Sequence, residues 1–102
     1  MTFENASIML ENYESSEILD EILRNLRVLY GTVVGTHSGD RDFGLDTSFV
    51  DMPPPTAKAL FSAEVIRKTR IYEPRAEVRG VEWEEDAKAG ILTPKVVISI
   101  NE

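Results

Sequence analysis

The hydrophobic period changes at Glu73-Pro74-Arg75, and that switch restricts the fold more than any other feature of the sequence. Before it, apolar residues recur every three to four positions; after it they alternate. Pro74 fixes its own φ and drives Glu73 out of the α region, so a helix must end here and an extended segment begin. A chain with its helices first and its paired strands last reads as an α+β domain.

Upstream of the switch, Ser15 or Ser16 is a natural N-cap for a helix running to Tyr30. Ile18, Leu19, Ile22, Leu23, Leu26, Leu29 and Tyr30 fall on one face of it. Glu17, Asp20 and Glu21 precede Arg24 and Arg27, the polarity that the helix dipole favours, and Gly31 is the stop signal. A second helix is predicted from a Thr56 cap, after Pro53, Pro54 and Pro55, to about Tyr72, with Phe61, Val65, Thr69 and Tyr72 as its inner stripe. Residues 31–55 form a long irregular connection punctuated by Asp40, Asp42, Asp46 and Asp51, with a short strand at Thr32–Val34. Connections of about 20 residues inside a small domain are functional or wrap the core.

Downstream, Ala76 and Val78 point one way and Val81 and Trp83 the other by simple parity, with Gly80 between them; a β-bulge at Gly80 restores all four to one face. Val96, Ile98 and Ile100 alternate with Val97 and Ser99 over Lys95–Asn101, giving a C-terminal antiparallel hairpin. Ala6, Ser7, Ile8, Met9 and Leu10 are a strand or an extended arm. The predicted architecture is one domain over residues 1–102: two helices packed on a small antiparallel sheet with a C-terminal β-hairpin. Its core holds Leu23, Leu26, Phe61, Val65, Val78 and Ile98.

Composition removes most catalytic templates. The 102 residues contain no cysteine, which excludes a disulfide framework and a thiolate zinc site. The single histidine, His37, excludes a poly-His metal centre or a His pair. A formal net charge of −7 without a basic patch argues against nucleic acid or an anionic membrane as partner. The N-terminus carries Glu4, Glu11 and Glu14 among its apolar residues, unlike a signal peptide, and a cytoplasmic protein is expected. No cofactor is expected.

The remaining motifs have modest chemistry. Asp42-Phe43-Gly44 spells the metal triplet of protein kinases, but no Gly-rich phosphate loop accompanies it. Asp40, Asp42 and Asp46 approach a calcium-loop spacing without its closing carboxylate, so they read as Asx turns. Glu73 could serve as one acid of a glycosidase pair, yet Arg75 beside it lowers its pKa where a general acid needs it raised. The same two side chains flank a rigid corner, and a guanidinium there either braces Glu73 internally or docks a carboxylate from another chain.

The order of these motifs resembles the lysozyme-like baseplate wedge family of contractile-tailed phages, whose relatives include the TssE component of type VI secretion. A helix rich in Ile and Leu leads to Arg41-Asp42-Phe43-Gly44, about 30 residues later to Glu73-Pro74-Arg75, then to the hairpin. The resemblance spans residues 15–101. It departs from the family at Gly35–Asp40, where His37 and an extra glycine stand in place of an apolar or proline-containing stretch. It implies a structural part and not an enzyme: six copies per baseplate, joining the wedge core to the first ring of the tail sheath, in the virion and, during assembly, in the host cytoplasm. Carried onto this chain, Glu73, Pro74 and Arg75 contact wedge proteins, Arg41, Asp42, Phe43 and Gly44 form a structural loop, and Lys95, Val96, Val97, Ile98, Ser99, Ile100 and Asn101 contact the tail sheath protein by β-augmentation. A stand-alone regulatory module of the same fold, resembling an anti-adaptor, is the alternative. A peptidoglycan hydrolase, which the family's label suggests, is the other.

Overall fold

The computed structural model describes residues 2–3, 6–11, 17–36 and 39–100. Helix α1 runs Glu17–Tyr30 and buries Leu19, Ile22, Leu26, Leu29 and Tyr30. Leu23 is only half-buried, and Ile18 is 61% exposed. The expected stripe was too wide: Ile18 stands about 100° around the helix from Leu19, outside the arc that a helix lying on a sheet can cover. The serine caps fall outside the described residues. At the other end the Gly31 N–H donates to the Arg27 carbonyl at 3.0 Å, closing the last turn where the stop signal is.

Helix α2 spans Pro54–Tyr72, three residues longer at its start than the Thr56 cap implies. Pro54 and Pro55 occupy the first turn, where a missing N–H breaks no helical bond and the fixed φ already suits the helix. Thr56 lies inside, and Pro53 takes the cap position, its carbonyl accepting from the Ala57 N–H at 2.8 Å. Ala57, Phe61, Val65, Lys68 and Thr69 are buried, while Tyr72 is half-buried.

The fold is α+β, with two helices and a C-terminal strand pair as expected, but the sheet is mixed rather than antiparallel. β3 (Ala76–Asp86) and β4 (Ile91–Ile100) form the antiparallel hairpin. β1 (Thr2–Phe3) and β2 (Ser7–Leu10) both pair parallel with β4, at Ile91–Leu92 and at Lys95–Ile98. Because β3 follows β4 along its whole length, β1 and β2 share the opposite side in tandem. The N-terminal run is therefore a strand, and β4 is central. The register of β3 slips between Val78 and Gly80, a bulge at Arg79 that turns Val78, Val81 and Trp83 onto the core side, as parity required.

Pro94 explains how a proline survives in a central strand. The Glu11 N–H donates to the Ile98 carbonyl at 2.9 Å, so Ile98 turns its backbone toward the N-terminal strands. Residues two apart share that direction, which includes Val96, Pro94 and Leu92. The donor that Pro94 lacks thus falls between the end of β1 at Phe3 and the start of β2 at Ser7, and the β3 ladder is intact.

Leu92, Pro94, Val96 and Ile98 form the buried face of β4, against both helices. Of the predicted core, Leu26, Phe61, Val65 and Ile98 are buried, whereas Leu23 and Val78 pack at its rim. A 3-10 turn at Ser48–Asp51 in the long connection delivers Phe49, whose ring meets Phe61 edge-on at 5.5 Å. Phe61 in turn meets Trp83 at 5.3 Å, so the connection wraps the core. Leu26 is fully buried, and Leu26→Ala is expected to cost about 2–5 kcal/mol, measured by urea unfolding; Leu23→Ala should cost clearly less.

Candidate functional site

Helix α2 ends where the Glu73 N–H donates to the Thr69 carbonyl at 2.9 Å, and the Ala76 N–H returns to the Glu73 carbonyl at 3.1 Å. This turn places the Glu73 side chain inward, with 3% of the residue exposed. Arg75 grips the carboxylate with two parallel bonds, Nε to Oε1 at 2.7 Å and Nη2 to Oε2 at 2.9 Å. Asn25 of α1 donates to Oε2 at 3.0 Å, and Glu21 of α1 approaches the Arg75 guanidinium at 3.7 Å. The corner is an internal brace that ties α1 to the α2–β3 junction. Glu73 is committed to it, which leaves exposed Pro74 and the outer side of Arg75 as its presentable surface.

The Arg75 hydrogen bonds hold the Glu73 carboxyl below the ordinary carboxylate range, outweighing the effect of burial. A glycosidase acid needs the opposite shift, so Glu73 is unsuited to that role. Asn25 and Glu21 were not visible as partners in the sequence: they lie about 50 residues away on α1, and no local pattern links them to Glu73.

The Arg41–Gly44 loop is folded onto α2. Lys68, 3% exposed, donates its ammonium to the Asp42 carbonyl and sits 5.9 Å from the Tyr72 ring centroid. Phe43 packs edge-on against Tyr72 at 5.1 Å, and the Tyr72 hydroxyl donates to Asp40 Oδ1 at 3.2 Å. Burial, followed by that bond to Asp40, raises the Tyr72 pKa. The Asp42 carboxylate is not what fixes the motif; its main-chain carbonyl is. Asp40 and Asp46 make the expected Asx turns, accepting from the Asp42 and Ser48 N–H groups at 3.0 and 2.9 Å, and the Ser48 bond lowers the Asp46 pKa. Among the described residues no acidic or histidine group is arranged to hold a metal ion.

Gly44 closes the loop against the end of α1. The strand expected at Thr32–Val34 is a single parallel bridge, Val33 with Leu45, flanked by Leu45 N–H to Thr32 O at 2.8 Å. Gly44 has φ +108°, and a Cβ there would stand 2.5 Å from the Thr32 carbonyl oxygen. His37 lies outside the described residues.

The hairpin departs from its expected role in one respect. β2 covers Lys95–Ile98, so no partner strand can be added to that side of β4 while β2 is in place. Val97 turns its backbone toward Gly80 of β3 and belongs to the internal ladder. Asn101 falls outside the described residues. The open side of the hairpin belongs to β3, which pairs with no other strand among the described residues.

A scan against protein-family models matches none, and searches of curated proteins and of solved structures find no match.

Glu73→Gln should cost about 1.5–3 kcal/mol at neutral pH, because a charge-assisted pair is replaced inside the fold. The sign with pH follows from the lowered pKa: the contribution is complete above the ordinary value of about 4.5 and is lost as pH falls through the lowered one. Thermal melts of both proteins should converge in acid. Gly44→Ala should destabilise by about 1–3 kcal/mol through its positive φ and the Thr32 carbonyl, and proteolysis should then cut the 31–53 connection faster.

Proposed function

We propose that this chain is a structural component of a contractile phage or phage-like tail baseplate, joining the wedge core to the first sheath ring and nucleating sheath assembly. Two features support the reading. The order of the Arg-Asp-Phe-Gly and Glu-Pro-Arg motifs resembles that of wedge proteins. The observation that carries the mechanism is the free side of β3, an 11-residue strand that, among the described residues, pairs on one side only. Such an edge presents unpaired backbone donors and acceptors and takes an additional strand by β-augmentation.

In this reading the sheath contact moves from Lys95–Asn101 to the other strand of the same hairpin. Residues opposite Ile98, Val96 and Leu92 across the ladder are Val78, Val81 and Glu85, and these turn their backbone outward. A sheath segment pairs with them. The wedge proteins meet the corner at Pro74 and Arg75, whose geometry Glu73 holds. Six copies would serve one baseplate.

Val81→Pro tests the edge, since it removes an outward donor and leaves the β3–β4 ladder bonded. With the protein co-expressed alongside its sheath and wedge proteins, Val81→Pro should fold, retain the wedge proteins and fail to nucleate sheath. Val81→Thr, which keeps the N–H, should assemble normally. Sheath polymerising on a folded Val81→Pro protein would overturn the contact.

A further inference from the structure

The open edge of β3 is one wall of a groove. The other is a row of α2 residues four apart, Lys58, Ser62, Ile66 and Arg70. Lys58 marks the far end, bonded to Glu85 and 5.9 Å from the Trp83 ring centroid. At the near end Ile66, Thr69 and Arg70 face Ala76, Glu77 and Val78 across a groove of about 260 Å³, closed below by Pro74. Arg70 is exposed and makes no ion pair or hydrogen bond among the described residues, although the chain has a net charge of −7. The opposite face of β3 is different. There Glu77, Glu82 and Glu84 stand exposed, with Arg79 pairing Glu77 at 3.3 Å and Lys95 reaching Glu84 at 3.4 Å, while Glu82 makes no ion pair or hydrogen bond among the described residues.

A strand laid along β3 must therefore satisfy two surfaces at once. Its side chains alternate between them with a period of two. Those on the helix side meet an aliphatic floor, Ile66 and Val78, and then an unpaired guanidinium. Those on the other side meet the unpaired Glu82 carboxylate, between the Arg79–Glu77 and Lys95–Glu84 pairs.

We infer that the groove between α2 and β3 selects an extended segment carrying aliphatic and acidic side chains on one face and basic or neutral ones on the other, with Arg70 as the carboxylate anchor. This rests on the proposed addition of a strand at β3 and specifies its occupant. The backbone supplies affinity without sequence preference; Arg70 and Glu82 supply the preference and the register.

The test uses fluorescein-labelled peptides of about ten residues, alternating Ile and a variable residue on one face with Thr and Lys on the other. The variable residue, Glu, Gln or Lys, is placed toward both ends, so that either strand direction presents one to Arg70. Anisotropy titrations on the full chain should rank Glu over Gln over Lys, with about fivefold between the extremes and a preference that weakens with salt. Arg70→Glu, at an exposed position and checked for fold by circular dichroism, should reverse the order. Equal binding of all three peptides, or an order that Arg70→Glu leaves unchanged, would overturn the selectivity while leaving strand addition standing. Binding of none would overturn the docking edge and, with it, the proposed sheath contact.

Discussion

The Glu73 carboxylate is the group on which the arrangement of the other elements depends. It is nearly excluded from water at the point where the second helix gives way to the hairpin, and it is tolerated there because Arg75 and Asn25 together occupy both of its oxygens. A buried carboxylate without partners would cost several kcal/mol, so the three residues are obliged to stay together. Asn25 belongs to α1, Glu73 closes α2, and Arg75 precedes β3. One ion therefore fixes the relative position of three elements. A second tie lies one turn away, where the Tyr30 hydroxyl meets Thr69 at 2.7 Å and burial pushes that phenol up to about 12.

The same helix organises the long connection. Along α2 one side presents Glu64, Lys68 and Tyr72 to the loop: Glu64 accepts the Asp46 N–H at 2.7 Å, Lys68 holds the Asp42 carbonyl, and Tyr72 holds Asp40 and Phe43. Another side carries Phe61 and Val65 into the core, and a third runs beside the edge of β3. This explains why apolar and charged residues alternate around α2 with little separation, whereas α1 has one clean apolar stripe. The charges of the corner are mostly spent within the chain, and the Arg-Asp-Phe-Gly segment is held to α2 through the Asp42 carbonyl and the Phe43 ring. Among the described residues, the backbone left unpaired by another strand is that along the outer side of β3.

The sheet decides which backbone that is. β4 takes partners on both sides, and its buried face, Leu92 to Ile98, makes it the centre of the molecule. Pro94 fits this position because its missing donor coincides with the interval between β1 and β2. Covering one side of β4 with an N-terminal strand leaves β3, among the described residues, as the unpaired edge of the hairpin, bounded by charged side chains outside and α2 within.

Local signals in the sequence were sufficient for the helices, the stop at Gly31, the switch at Pro74, the Asx turns and the bulge beside Gly80, since each depends on residues within a few positions of one another. The brace at Glu73 and Arg75 was also legible, because its strongest pair is two residues apart. Ile18 and Thr56 misled for opposite reasons: periodicity overstates the width of a buried stripe, and a good cap loses to prolines that already fit the first turn. Only the tertiary structure decided that Ser7–Leu10 pairs parallel with β4, that Asn25 and Lys68 complete the corner and the loop, and that the free edge is on β3. Those outcomes join residues tens of positions apart, where pairing is chosen by which surfaces can be buried together, and no periodicity along the chain records that choice.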